Sequence, residues 1–131
     1  MSFVSFVVKP SGDHFLLNCR SRSPIVNRSV VGLRTIIGDS TELNRVVILG
    51  SDYYESQASV ERHESQGLPR MGIGAGCQID NAIIDKNARI GNGVKISAVG
   101  KPENVDHELY FVRDGVVIIP KDAIIPHGTV I

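Results

Sequence analysis

The hydrophobic positions of this chain recur every six residues. Ile25, Val31, Ile37, Leu43 and Leu49 fall on that interval. Four places after the first four of them stand Ser29, Thr35, Thr41 and Val47, all small or β-branched. The beat returns at Ile73 and Ile79, with Cys77 and Ile83 four places on. It slips by one, resumes at Ile84, Ile90 and Ile96, and closes the sequence at Ile119, Ile125 and Ile131. An α-helix repeats at about 3.6 residues and a strand at about 2. A period of six fits neither and is the hexapeptide signature of a parallel β-helix.

The beat has a direct physical meaning. Three hexads predict one triangular coil of eighteen residues, each hexad giving a short flat strand and a turn. The aliphatic head points into the prism, and the small residue four later fits a crowded corner. No coil buries its own face, so the core exists only through stacking. Glycine and polar residues follow the heads, as in Ile37-Gly38-Asp39 and Ile90-Gly91-Asn92-Gly93, where turns need them. Residues 37–48 and 73–84 share the pattern aliphatic-Gly, small at four, aliphatic at six and Ile at eleven. An ordinary β-sandwich, whose strands alternate with period two, does not explain a beat of six in three separate stretches. The expected fold is all-β, a left-handed parallel β-helix, since hexapeptide sequences usually take that hand.

Two stretches break the beat and predict excursions from the prism. Residues 51–72 are polar, with a helix expected from Tyr53 to His63, Asp52 as its N-cap and Gly67-Leu68-Pro69 as its end. Residues 97–112 form the second, and Glu108 to Val112 reads as a strand edge against the side of the prism. Excursions of this kind usually carry packing or partner contacts, with a solvated loop as the equal alternative. Residues 1–24 resist assignment, with no hexad between Phe3 and Cys19, so the β-helix domain is expected over 25–131.

Composition narrows the function classes. The 131 residues suit one domain, and 14 basic against 14 acidic side chains argue against a nucleic-acid partner. No apolar run is long enough to span a membrane, and SFVSFVV before Lys9-Pro10 does not read as a signal peptide. Cys77 falls at an interior position and reads as a small buried hydrophobe, and with Cys19 it makes no disulfide framework.

Catalytic patterns are missing. His14, His63, His107 and His127 are scattered over different turns and excursions and predict no metal site. Gly72-Ile73-Gly74-Ala75-Gly76 is explained by hexad turns, and no nucleophile stands beside a base. A basic pair does emerge from the spacing. Lys86 lies two after the head Ile84, and Lys121 two after Ile119. In neighbouring coils on one edge, their backbones would lie ~4.8 Å apart. Ammonium groups that close repel unless an anion bridges them, so the pair is a candidate phosphate or carboxylate site, with Arg89 and Arg113 as possible helpers. Two solvated turn lysines are the plainer alternative.

The words of the sequence also carry a resemblance. Ser29-Val-Val-Gly-Leu-Arg34, Asp52-Tyr-Tyr-Glu55, Gly72-Ile-Gly74, Ala82-Ile-Ile-Asp-Lys-Asn-Ala-Arg-Ile-Gly91, Val94-Lys-Ile96 and Ile119-Pro-Lys-Asp-Ala-Ile-Ile-Pro-His-Gly-Thr-Val-Ile131 occur in this order. They resemble the C-terminal β-helix domain of the ADP-glucose pyrophosphorylase (glucose-1-phosphate adenylyltransferase) family, in the small-subunit form of plants and cyanobacteria. The resemblance covers about residues 25–131. It implies a tetrameric nucleotidyltransferase of starch or glycogen synthesis that makes ADP-glucose and pyrophosphate from ATP and glucose 1-phosphate. It implies a regulatory and assembly domain answering to 3-phosphoglycerate and inorganic phosphate. The family's activator lysines match Lys86 and Lys121, and Asp85 matches a position near that effector site. The family's magnesium- and ATP-binding domain has no counterpart in the sequence, so no cofactor, catalytic or metal residue is expected here and the chain alone is expected to be inactive. The plastid is the implied compartment, with the cytoplasm as the alternative. A hexapeptide acyltransferase with His127 at a subunit seam, and a purely structural interaction module, remain the competing classes.

Overall fold

The computed structural model describes residues 23–131. The unassigned segment before Ser23, with Cys19 and His14, lies outside the described residues. Eleven strands and one helix follow in order: β1 (Ile25–Asn27), β2 (Val30–Val31), β3 (Glu42–Ile48), α1 (Gln57–Ser65), β4 (Gly72–Ile73), β5 (Gln78–Ile84), β6 (Arg89–Ile90), β7 (Lys95–Ile96), β8 (Asn104–Asp106), β9 (Phe111–Arg113), β10 (Val116–Ile119) and β11 (Ile124–Ile125). Parallel pairing stacks them on three faces. The first face joins β1, the start of β3, the start of β5 and β7. The second joins β2, the ends of β3 and β5, and β10. The third joins Ile37, β4, β6 and β11.

The register corrects the coil length. Val26 pairs with Leu43, Val31 with Ile48, Ile79 with Ile96 and Ile73 with Ile90, each seventeen residues apart. One side of every coil spans five residues, from Leu43 to Ile48 and from Ile79 to Ile84, so the slip seen in the sequence is a regular feature of the prism. β3 and β5 pass through this corner unbroken. A single left-handed residue bends the chain there: Arg28, Arg45 and Asn81, at φ of 50°, 56° and 53°. The shorter side turns four expected positions outward. Ile25 and Leu49 are 55% and 46% exposed, while Ile48 is buried and Val26 packs against the core. Val47 and Ile83 face out, and Val46 and Ala82 take the small inner position.

The core is one column of aliphatic side chains per face, including Ile37, Leu43, Ile79, Ile84, Ile90 and Ile119, all nearly inaccessible. Corner hydroxyls tie coils together. Ser29 Oγ accepts the Val46 N–H at 3.0 Å, and Thr41 Oγ1 donates to the Gly74 carbonyl at 2.6 Å. The glycine column Gly38, Gly74 and Gly91 has a packing cause: a Cβ there would sit 2.5–2.6 Å from backbone atoms of the coil above. These residues also donate to that coil, Gly38 to Ile73, Gly74 to Ile90 and Gly91 to Ile125. On the second face Leu49 and Asp85 donate likewise to Ile84 and Ile119. In the next coil those two positions are Pro126 and Pro120.

Both excursions differ in detail from expectation. The helix runs Gln57–Ser65 with Ser56 as N-cap, its Oγ accepting the Ser59 N–H at 3.2 Å. Asp52 is no cap, because its carboxylate is engaged on the prism instead. The second excursion returns as an antiparallel extension, β8 on β9 and β9 on β10, with a turn at Asp114 and Gly115 in left-handed conformation. The strand expected over Glu108–Val112 is Phe111–Arg113, and it continues the second face in plane rather than lying against the prism.

The register makes a sharp prediction. Ile48→Ala should cost about 3 kcal/mol by leaving a cavity, whereas Leu49→Ala should stay within about 1 kcal/mol. Denaturant unfolding of both variants checks it; equal costs would contradict the five-residue side.

Candidate anion-binding corner

The corner between the second and third faces gathers the residues singled out by spacing. Ile84 pairs with Ile119, so Lys86 and Lys121 occupy the same turn position of adjacent coils. The Asp122 N–H donates to the Lys86 carbonyl at 3.0 Å, which locks the two turns together. Asn87 and Asp122 follow the lysines in left-handed conformation, which lifts both lysine side chains off the edge into solvent.

The pair is not left as two open ammonium groups. Lys86 Nζ donates to Asp52 Oδ1 at 3.1 Å. The second carboxylate oxygen accepts from Asn87 Nδ2 at 3.0 Å, and the Asp52 N–H returns to Asn87 Oδ1 at 2.9 Å. The Asn87 and Lys86 hydrogen bonds hold the Asp52 carboxyl below the usual carboxylate range, against the cost of desolvation. The charges of Lys86 and Lys121 act in the same direction. Asp52 and Asn87 were not singled out as site residues by sequence reasoning. The signal was present in Asp52-Tyr-Tyr-Glu55, the first turn of an excursion that must lie against the coil it leaves.

The other expected participants are placed elsewhere. Asp85 Oδ1 accepts the Lys86 backbone N–H at 2.7 Å, so it shapes the turn. Arg89 points away from the lysines and clamps the first excursion. Its Nη2 meets Glu55 Oε2 at 2.7 Å, and its Nη1 donates to the Pro69 carbonyl at 3.2 Å. Glu55 also accepts from the Ser59 hydroxyl and the Met71 N–H, and lies 3.1 Å from His63 Nδ1. Arg113 pairs with Asp106 in the second excursion. His127 Nδ1 accepts the Asn92 N–H at 2.8 Å, a corner-to-corner link between coils. Among the described residues no group of three or more His, Cys, Asp or Glu side chains could hold a metal ion.

The three-faced prism, its one-aliphatic-per-face core and its seventeen-residue coils define a left-handed parallel β-helix protein of the hexapeptide-repeat class. Comparison with known families agrees: the GLGC left-handed parallel beta-helix domain matches residues 17–130, and the chain belongs to that family. The chloroplastic/amyloplastic small subunit of glucose-1-phosphate adenylyltransferase from Triticum aestivum is 40% identical over 116 residues. That alignment takes in 87% of this chain and 24% of the wheat protein, so the chain spans less than a quarter of that relative's length.

The Glu55–Arg89 clamp generates a prediction with a defined sign. Burial pushes the Glu55 carboxyl up, but hydrogen bonds from Arg89, Met71 and Ser59 outweigh it and leave the carboxyl below its ordinary value. A lowered folded-state pKa stabilises above the unfolded value, about 4.3, and the contribution is lost as pH falls through the folded value. Glu55→Gln should cost about 3 kcal/mol at neutral pH by leaving the Arg89 charge poorly compensated. The same variant should show a flatter acid limb in a profile of melting temperature against pH. An acid limb as steep as that of wild type would show that Glu55 carries none of it.

Proposed function

We propose that this chain is the regulatory and assembly domain of a glucose-1-phosphate adenylyltransferase of the small-subunit type. Its whole protein would convert ATP and glucose 1-phosphate to ADP-glucose and pyrophosphate in starch or glycogen synthesis. Lys86 and Lys121 would hold the phosphate or carboxylate of an anionic effector such as 3-phosphoglycerate or inorganic phosphate, with Asp85 fixing the turn beneath them. The observation that carries the reading is the in-register stacking of the two lysines on one edge. Two lysines whose backbones lie about one strand spacing apart can share one anion. The compartment named for the wheat relative supports a plastid location. Among the described residues no helix is long and apolar enough to cross a membrane.

Assembly into a homo- or heterotetramer is supported by a second feature. Val30, Val47, Ile83, Ile118 and Phe111 align outward across neighbouring strands of the second face. Val30, Val47 and Phe111 are 43%, 37% and 36% exposed, a contiguous apolar row of the kind that marks a contact surface. This row also favours the second reading, an interaction module without an effector.

Thermal unfolding of the purified chain with and without 3-phosphoglycerate separates the two. A ligand bound only by the folded state raises the midpoint, by an amount equivalent to about 2.7 kcal/mol at a hundred times its Kd. The rise should vanish in Lys86→Ala/Lys121→Ala. A cooperative transition with no rise in wild type would leave the interaction module.

A further inference from the structure

We infer that Asp52 is a built-in competitor for the lysine corner, and that it makes this corner selective for dianionic phosphate groups over monoanions. The inference rests on the reading of the corner as an anion site.

The argument starts from what a ligand must replace. The Lys86 ammonium already has a carboxylate partner at 3.1 Å. That carboxylate is not a wandering surface side chain. It is fixed by the Asn87 amide at 3.0 Å, and the Asp52 backbone is fixed by the same side chain at 2.9 Å. Asn87 itself is nearly buried, and its N–H is engaged by the Gly50 carbonyl of the coil below. Three further residues on, Glu55 is clamped to Arg89 of the same coil. The segment therefore returns Asp52 to Lys86 whenever the contact opens.

A monocarboxylate entering this corner exchanges one carboxylate for another at Lys86. It gains no net charge and loses its own translational freedom. A phosphate dianion brings a second negative charge, and Lys121 lies one coil away to receive it. Among the described residues Lys121 has no salt bridge within 4.0 Å. Only an anion with charge to spare after replacing Asp52 at Lys86 also gains a contact with Lys121, whose pull on Asp52 acts through space alone. Because the second ionisation of a phosphate monoester lies near pH ~6, binding should weaken as pH falls through that value.

The test is a titration of melting temperature with inorganic phosphate and with acetate, at matched ionic strength and pH 7.5, on the full chain. Wild type should respond to phosphate and not to acetate. Asp52→Asn keeps the shape and the backbone hydrogen bond but removes the charge. It should lower the phosphate concentration needed for a half-maximal shift about fivefold, the upper range for an exposed ion pair, and it should make acetate effective. Adding Lys86→Ala and Lys121→Ala to either background should abolish the response, which separates binding from general salting effects of phosphate. An unchanged or weakened phosphate response in Asp52→Asn, with wild type responding, overturns the competitor and leaves the anion site standing. No response in wild type and Asp52→Asn, or a response that survives loss of both lysines, overturns the anion site and the competitor with it.

Discussion

Everything in this molecule depends on backbones stacked at one strand spacing. Each coil hands N–H groups to the next, and the interval of about 4.8 Å admits one side chain per face per level. The prism is therefore narrow, and its filling is almost wholly aliphatic. The same spacing explains the polar residues inside. Ser29 and Thr41 are buried because their hydroxyls replace backbone partners at corners where the strand ladder turns away. It also explains why the third-face glycines lack tolerance for a side chain, since the neighbouring backbone occupies the space.

The lysine corner is a by-product of this stacking. A regular coil brings equivalent turn residues of successive levels into a column, so a lysine at one level and a lysine at the next become neighbours without any long-range loop. The first excursion leaves the prism at that corner and returns on the third face. Its opening residues must lie against the following coil, and Asp52 and Glu55 meet Lys86, Asn87 and Arg89 there. Charge at the corner is thus set jointly by the prism and by the segment that interrupts it.

Much of the fold was legible because the hexad signal is repeated and one-dimensional. The aliphatic heads from Ile73 through Ile125 fall inside as the beat requires. The errors lie where two adjacent residues are both aliphatic. Ile48 and Leu49 are equivalent by composition, and only the short side of the coil, closed by Arg45 in left-handed conformation, decides which one faces in. The same holds for Ile25 against Val26. The lysine column was legible from spacing plus stacking. Its counter-ion was not, because the pairing of Asp52 with Lys86 joins residues 34 apart across an excursion whose path no periodicity describes.

A stack of identical rungs carries a hazard: an open end is a template on which further strands can add, the mode by which cross-β fibres elongate. The coil that carries Pro120 and Pro126 resists such addition on two faces. Pro120 and Pro126 stand where the preceding coils offer N–H donors, and a proline has none to offer. The free edge of β10 is already taken by β9. The two prolines therefore act as punctuation, withholding a donor from any strand that would add to those faces.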